Sequence, residues 1–261
     1  MSQLSVATWN VHHRRHNAAI AADIDDVLAT GVELLGLNEV GGHQAAIDAR
    51  RPHVGHVQPS GAKGAPSSAL LWRTDVLQLM RHGRLRATKA VYVGPRGAGP
   101  AHMHAKFVTW AQFLHLESNR RVFALVNHFP ATIERAGKPN ITLRKRMRVT
   151  RAMWATNAVL VSRFAPRGQV LVLGDMNWDA RTDEGTYADA PRAAADKMGL
   201  QTSYETLGLP TEGTKGGRLI DYVLYPRDRS NAIKAVAQRI FDVNTDNDHR
   251  VLAVDMSLTA R

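Results

Sequence analysis

The chain has 261 residues, of which 44% are hydrophobic and 22% charged, a composition that fits a folded globular protein and excludes a disordered one. Its 34 Lys and Arg residues against 23 Asp and Glu residues give a net charge of +11, so its surface attracts polyanions, chiefly nucleic acid but also anionic membranes. The chain has no cysteine, which excludes disulfides, thiolate zinc sites and cysteine nucleophiles.

The apolar pattern predicts a mixed α/β domain. In chain order, it predicts strands at residues 3–9, 32–37, 68–73, 76–80, 106–116, 121–128, 169–173, 219–225, 233–242 and 250–258, and helices at residues 17–30, 141–164 and 190–198. The long helix should bury Leu143, Met147, Trp154, Ala158 and Val161. A glycine- and proline-rich loop is expected at residues 94–100. With no repeat and no linker, the economical prediction is one domain, residues 1–261, of two packed sheets with helices outside.

Polar residues recur where the apolar strands end. These positions are Asn10, Glu39, His128, Asp175 and Asn177, and two further polar residues, Asp248 and His249, directly precede the last predicted strand. For any one of them, a turn or a helix cap is the ordinary explanation. Asp221 differs because it lies within the apolar run LIDYVLY. A carboxylate is costly to bury alone, so Asp221 should pair with a cation or orient a histidine.

As a set, these residues suit phosphoryl-transfer chemistry. The carboxylates of Glu39, Asp175 and Asp248 suit a hard, oxygen-preferring cation. The amides of Asn10 and Asn177 can hold a phosphate, and the two histidines can transfer protons. In such a site a metal polarises a phosphoryl oxygen, while a histidine supported by an aspartate prepares the attacking water.

Six segments carry a family resemblance, which covers nearly the whole chain from Leu4 to Leu258. They are TWNVH (8–12), LGLNEV (35–40), NHFP (127–130), GDMNW (174–178), LIDYVL (219–224) and NDH (247–249). Their order resembles that of the endonuclease/exonuclease/phosphatase superfamily. The resemblance implies a four-layer α/β sandwich, in which two mostly antiparallel β-sheets pack together and are flanked by helices.

The resemblance also implies a role for each motif residue. Glu39 would be the principal ligand of Mg²⁺, assisted by Asn10, with Asp248 beside the metal directly or through water; Mn²⁺ and Ca²⁺ are alternatives. His249 would be the general base, oriented by Asp221. The water and the phosphate would be positioned by Asp175 and Asn177, and the scissile phosphate would be contacted by His128, which would protonate the leaving oxygen. The family has been interpreted with either histidine as the acid, so the assignment of acid and base stays open here.

The sequence departs from the family pattern at several positions. Asn38 replaces the usual Gln before the metal-binding Glu, and Asn247 replaces the common Ser. His12 stands where the abasic-site repair branch has an acidic residue, which argues against a repair endonuclease. Residues 67–73 lack the acidic residue that supports the second histidine in the deoxyribonuclease I branch, so His128 should have another partner or a less basic ring.

Five further residues are candidates for substrate binding. They are His12, Arg14, Arg144, Arg148 and Trp178. The two helical arginines would follow a phosphate backbone, although a solvated helix surface is the default explanation of such residues. The tryptophan after GDMN would stack on a base or a sugar, although core packing is the commoner role of a tryptophan.

The leading functional hypothesis is a Mg²⁺-dependent nuclease that cuts DNA, and RNA is the less favoured nucleic-acid substrate. The alternatives are a lipid or small-molecule phosphodiesterase or phosphatase of the same superfamily, and a catalytically inactive nucleic-acid-binding protein. The N-terminal residues lack the basic and apolar regions of a secretory signal, and no apolar run approaches the roughly 20 residues that cross a bilayer. A cytoplasmic protein of bacterial or viral origin is therefore expected, without stable membrane insertion or an obligate protein partner.

Overall fold

The computed structural model describes residues 2–12, 15–58, 68–92, 102–227, 232–243 and 248–259. These residues form two six-stranded sheets with helices on their outer faces, which confirms the predicted four-layer α/β sandwich. Within them, no helix is both long enough and apolar enough to cross a bilayer. The predicted loop at residues 94–100 lies outside the described residues.

The regular elements are as follows in chain order. The strands are β1 (Ser2–Asn10), β2 (Leu34–Asn38), β3 (Val54–Val57), β4 (Ser68–Arg73), β5 (Leu77–Arg86), β6 (Val91–Tyr92), β7 (His102–Met103), β8 (Phe107–His115), β9 (Arg120–His128), β10 (Glu134–Arg135), β11 (Lys138–Pro139), β12 (Gln169–Asp175), β13 (Leu200–Thr202), β14 (Asp221–Pro226), β15 (Ile233–Phe241) and β16 (Val251–Leu258). The helices are α1 (Asn17–Ala29), α2 (Gln44–Asp48), α3 (Arg144–Phe164), α4 (Pro191–Lys197) and α5 (Ser203–Leu207).

Each large sheet is mostly antiparallel with one parallel pair. The first sheet has the order β15-β16-β1-β2-β4-β3, and β1 and β2 are parallel. The second has the order β13-β14-β12-β9-β8-β5, and β9 and β12 are parallel. Parallel neighbours end at the same edge of a sheet, so the polar residues that follow them are brought together.

The outer helices cover the two sheets through apolar faces. Ile20, Ile24 and Val27 of α1 pack on the first sheet, because a spacing of three to four residues places them on one side of the helix. Helix α3 packs on the second sheet. The amides of Asn127 in β9 and Asn157 in α3 bond each other, with N–O distances of 3.1 and 2.9 Å, and fix the helix above the strand.

Several predicted elements needed correction. The predicted strand at residues 76–80 continues to Arg86, because β5 is an edge strand whose exposed face tolerates charged residues. The predicted helix at residues 141–164 begins with a 3₁₀ turn and is α-helical only from Arg144. Within it Ala158 is exposed and Leu143 is only half-buried, whereas the other predicted core residues are buried. The pattern did not predict the short elements α2, β3, β6, β7, β10, β11, β13 and α5.

Gly174 is expected to tolerate no side chain. Its φ is +139°, and a Cβ added there would lie 1.9 Å from the carbonyl oxygen of Asn127. Gly174→Ala should therefore lower the free energy of unfolding by about 4 kcal/mol or more, from the clash and the strained backbone together. Urea unfolding followed by tryptophan fluorescence measures this loss.

Gly199→Ala is the matched control. Gly199 also has a positive φ, +71°, but a Cβ there would meet no atom within 4 Å. Only backbone strain remains, so this variant should lose about 1 kcal/mol. Equal losses in the two variants would show that the contact of Gly174 with β9 does not matter.

Candidate active site

The ends of four strands and the start of a fifth meet at one edge of the sandwich. In the second sheet, the register pairs Asp175 with His128 of the parallel strand β9 and with Asp221 of the antiparallel strand β14. In the first sheet, the parallel pairing of β1 with β2 places Asn10 beside the end of β2, which Glu39 follows. Sheet register therefore assembles residues that lie far apart in the sequence.

Asn10 links the two sheets through two carboxylates. Its Nδ2 donates to Glu39 Oε1 and to Asp175 Oδ2, each at 3.1 Å. His128 Nε2 lies 3.7 Å from the same Glu39 oxygen and 3.8 Å from the same Asp175 oxygen. Two carboxylates thus face one small polar space at the sheet edge.

This donor set fits a hard divalent cation. Carboxylate and amide oxygens are the ligands that Mg²⁺ prefers, and Mn²⁺ and Ca²⁺ accept them too. In the structure, however, the Asn10 amide turns its nitrogen toward the carboxylates, and its Oδ1 accepts the backbone N–H of His12 at 3.1 Å. Ligation through the oxygen would require the amide to turn over, so the contacts support directly a role for Asn10 in holding Glu39 and Asp175 together.

His249 and Asp221 form a buried pair. His249 Nδ1 donates to Asp221 Oδ2 over 3.1 Å, and the side chains are 1% and 0% exposed. Asp221 was expected to pair with a cation or to orient a histidine, and among the described residues it contacts a histidine. With Nδ1 bonded to the aspartate, the lone pair of His249 lies on Nε2, which is 3.8 Å from Asp175 Oδ2.

The environment shifts the pKa values of these groups in different directions. Burial lowers the pKa of His249, but the negative charges of Asp221 and Asp175 outweigh it and raise that pKa above its ordinary value. Burial, with repulsion from Asp221, raises the pKa of Asp175 to about 6. Burial lowers the pKa of His128 to about 3, so His128 is neutral at physiological pH.

Among the described residues, one cluster of side chains is spaced closely enough to hold a metal ion. Ligand atoms of Asp175, Asp221 and His249 all lie within 4.8 Å of one another. Because Asp221 is fully buried and accepts a hydrogen bond from His249, this trio fits proton transfer better than metal binding.

Three motif residues have left-handed backbone conformations. His12, Glu39 and Asn177 have φ of +57°, +59° and +53°. Such strain in non-glycine residues collects where a structure must hold side chains in functional positions. Asn177 is held by two bonds, since its N–H donates to Asp175 Oδ1 at 2.9 Å and its Nδ2 donates to the Phe129 carbonyl at 3.1 Å.

Asn38 lies beneath the site and joins four strands. With its amide nitrogen toward the two acceptors, it donates to Ser68 Oγ at 3.2 Å and to the Asn127 carbonyl at 2.7 Å, and its oxygen accepts the N–H of Asp175 at 3.1 Å. The shorter amide that replaces the usual Gln therefore supports the site from the gap between the sheets.

His128 was expected to lack the acidic partner that the second histidine has in the deoxyribonuclease I branch, and the structure agrees. Its Nδ1 is buried and has no hydrogen-bond partner among the described residues. This arrangement matches the missing acidic residue in the segment 67–73, and the pKa of the ring is low chiefly because the ring is buried.

The substrate-binding candidates have different outcomes. The prediction that Trp178 stacks on substrate is wrong, because its side chain is 0% exposed and packs in the core. Arg144 and Arg148 are exposed and line a shallow groove of about 360 Å³, so their role stays a prediction. His12 is half-buried near the site, and Arg14 lies outside the described residues.

Two lysines near the site, Lys106 and Lys215, were not among the predicted site residues. Asp248, a predicted neighbour of the metal, is half-exposed and pairs with Lys215, with 2.8 Å between Oδ2 and Nζ. Burial lowers the pKa of Lys106 to about 8, against the opposing charges of Asp175 and Glu39, which places this half-buried lysine near both carboxylates. The signal for Lys215 was its glycine-rich segment GTKGGR directly before LIDYVL.

Solved structures of other proteins share this fold. Three examples of similar solved structures each align with 98% of this chain. They are D. rerio TDP2 complexed with single-strand DNA product (TM-score 0.69, 12% identity, 100% of that chain), the human Nocturnin catalytic domain with bound sulfate (0.69, 17%, 94%) and a mannosyl-6-phosphatase of Bacteroides thetaiotaomicron (0.62, 14%, 100%). No curated protein sequence matches the chain.

The sequence itself decides the family. The Endonuclease/Exonuclease/phosphatase family profile matches residues 7–246, nearly the whole chain. Members of this family hydrolyse phosphate esters and generally use divalent metals. The chain belongs to the endonuclease/exonuclease/phosphatase family.

Proposed function

We propose that the protein is a divalent-metal-dependent phosphodiesterase, and specifically a nuclease that hydrolyses DNA. The observation that carries the proposal is the buried His249–Asp221 pair, whose Nε2 faces Asp175 beside the Glu39 and Asn10 side chains. This arrangement supports a general base next to a carboxylate-rich cation site at one edge of the sandwich.

The proposed mechanism follows from the positions of the side chains. His249 Nε2 takes a proton from the attacking water, and Asp221 stabilises the imidazolium that results. Asp175 and Asn177 orient the water and the phosphate. Glu39 and Asp248 would hold a divalent cation, joined by the Asn10 oxygen if that amide turns over, and the cation would offset negative charge on the phosphoryl oxygens.

His128 has a narrower role than the family resemblance implied. Its low pKa keeps it neutral in the free protein, so its Nε2–H is suited to donate a hydrogen bond to a phosphate oxygen. Protonation of the leaving oxygen by His128 would require its pKa to rise when the anionic substrate binds.

The charge of the protein supports DNA as the substrate. The chain carries +11, and lysines lie beside the proposed cation site and the general base. A polyanion is attracted to such a field and releases counterions on binding. The similarity to a TDP2 structure that contains single-strand DNA product agrees with this choice.

The main rival is a phosphatase or phosphodiesterase for small molecules. It is favoured by Lys106 and Lys215, since two cations near one site suit a terminal phosphate with two charges. The mannosyl-6-phosphatase with the same fold shows that the architecture also serves a sugar phosphate.

A substrate panel separates these functions. Purified protein with Mg²⁺ is given single- and double-stranded DNA, RNA, p-nitrophenyl phosphate and sphingomyelin vesicles at matched phosphate concentration. We expect cleavage of DNA to exceed the other rates by at least tenfold. Faster hydrolysis of the monoester or the lipid, with DNA intact, would contradict the nuclease. Binding of DNA without any hydrolysis would indicate an inactive binding protein.

A further inference from the structure

A tight glycine turn holds Lys215 next to the His249–Asp221 pair. Gly216 and Gly217 have φ of +51° and +78°, and Lys215 and Arg218 exchange backbone hydrogen bonds of 3.0 and 2.9 Å. Two successive residues with positive φ form a type I′ turn, which favours Gly-Gly. The turn therefore defines the point from which the lysine side chain extends.

Thr214 anchors this turn to the catalytic segments. Thr214 is fully buried, and its Oγ1 accepts the N–H groups of Ile220 and Asp221 at 3.1 and 3.3 Å. Its carbonyl accepts the N–H of Arg250, the residue after His249, at 2.7 Å. The backbone beside Lys215 is thus tied to the segments that carry both members of the buried pair.

The ammonium group of Lys215 lies next to Nε2 of His249, the nitrogen proposed to act as the general base. Its Nζ is 3.0 Å from His249 Nε2 and 2.8 Å from Asp248 Oδ2. Because His249 Nδ1 is bonded to Asp221, Nε2 accepts the hydrogen bond from the lysine. A general base needs that lone pair for water, so the observed contact must be given up before His249 can act.

We propose that Lys215 is a catalytic residue that binds a non-bridging oxygen of the scissile phosphate. In the free protein its ammonium group occupies part of the space that substrate and water take, and it exchanges His249 for the phosphate when substrate binds. The inference rests on the proposed phosphodiester hydrolysis and adds a residue to that site.

Three features favour a phosphate as the incoming partner. The lysine side chain is 40% exposed, so an anion from solvent can reach it. Its stem is flexible, so Nζ can move by a few ångströms while the turn stays in place. Its Nζ lies 3.0 Å from His249 Nε2, which is itself 3.8 Å from Asp175 Oδ2, so the positive charge is already beside the proposed site of hydrolysis.

The test compares Lys215→Met with Lys215→Arg and with the control Lys197→Met, an exposed lysine in α4. With Mg²⁺ and bis(p-nitrophenyl) phosphate, Lys215→Met should lower kcat/KM by about 100-fold, as expected for loss of one charged donor to the transition state. Lys215→Arg should stay within about tenfold of the wild type, because it keeps the charge. Lys197→Met should leave the rate unchanged.

A binding measurement gives a readout that does not depend on turnover. By titration calorimetry, with Mg²⁺ and with chelator, inorganic phosphate should bind Lys215→Met about tenfold more weakly than the wild type and Lys197→Met. Unchanged phosphate affinity together with unchanged kcat/KM would overturn the proposal. A higher kcat/KM in Lys215→Met would also overturn it, since the lysine would then merely obstruct His249.

The proposed function and this inference fail in different ways. If the wild type hydrolyses neither DNA nor bis(p-nitrophenyl) phosphate, the nuclease proposal fails, whereas the phosphate titration still tests Lys215. If the wild type is active and the Lys215 variants match it in both measurements, only the role of Lys215 is wrong.

Discussion

Replacing His249 with alanine is expected to lower kcat for phosphodiester hydrolysis by about 1,000-fold, because a positioned general base contributes roughly 10²- to 10⁴-fold. Nε2 of His249 is the nitrogen left for the water once Nδ1 has bonded Asp221. The control is His82→Ala, an exposed histidine in the edge strand β5, which should retain full activity. Steady-state measurement of kcat on DNA or bis(p-nitrophenyl) phosphate compares the two variants with the wild type.

Asp221→Asn should separate the role of the aspartate from that of the histidine. An Asn amide can donate to His249 Nδ1, which would put the ring proton on Nε2 and remove the base, so a loss of about 100-fold or more is expected.

The pH dependence tests the same pair. The base acts when neutral, so kcat/KM rises with pH through the pKa of His249, and the raised pKa places this limb above the ordinary histidine value of about 6.5. In Asp221→Asn, burial remains while the main opposing charge is lost, so the limb should move to lower pH. An unchanged limb in Asp221→Asn, or an active His249→Ala, would contradict the assignment.

The second large effect is expected at Asp175, where activity and stability should change in opposite directions. Asp175→Asn should abolish most activity and yet stabilise the metal-free protein at pH 8. The rise of the Asp175 pKa from 3.8 to about 6 corresponds to about 3 kcal/mol of unfavourable free energy when the buried carboxylate is ionised. The variant also weakens the hydrogen bond from Asn10 Nδ2 to residue 175, which offsets part of this free energy. The free energy of unfolding should therefore rise by about 1–2 kcal/mol.

The sign of this effect depends on pH. The native state holds the Asp175 proton up to pH of about 6, whereas the unfolded chain releases it near 3.8, so native stability falls as pH rises through this interval. The gain from Asp175→Asn should therefore be larger at pH 8 than at pH 5 and vanish below about pH 4.

Thermal unfolding in chelator measures the gain. An increase of Tm by about 2–8 °C at pH 8 is expected for 1–2 kcal/mol in a protein of this size. Asp196→Asn, at an exposed carboxylate of α4, is the control and should change Tm little. A loss of stability at pH 8, or the same gain at pH 5, would show that burial of an ionised Asp175 is not costly.

Much of the fold was predictable because apolar runs mark long strands and helices. Strands such as β9 and β12 and helix α1 lie close to their predicted bounds, since each carries a clear apolar pattern. The short pairs β6–β7 and β10–β11 have two residues in each strand, and two residues carry no period to detect. Their formation depends on tertiary contacts, which the pattern does not contain.

The candidate site likewise has residues that the sequence predicts and residues that it does not. The pairing of Asp221 with a histidine was predictable, because a carboxylate inside LIDYVLY has few ways to be stable. The fate of Trp178 was not predictable from its place after GDMN, since the direction of its side chain depends on packing beneath the strand. Lys215 was missed because a lysine in a glycine-rich loop is ordinarily a solvated surface residue, and only the turn and its anchor at Thr214 bring it to His249.

We propose that one site, built on Glu39 and the His249–Asp221 pair, hydrolyses phosphodiester bonds with a divalent metal. The most direct test is conversion of supercoiled plasmid to nicked circles by the wild type, Glu39→Gln and His249→Ala, with Mg²⁺ or with chelator, and with exposed Glu117→Gln as the matched control. We expect Mg²⁺-dependent nicking by the wild type and Glu117→Gln, and loss of nicking in the other two variants. Nicking that persists in chelator, or in both Glu39→Gln and His249→Ala, would contradict this proposal.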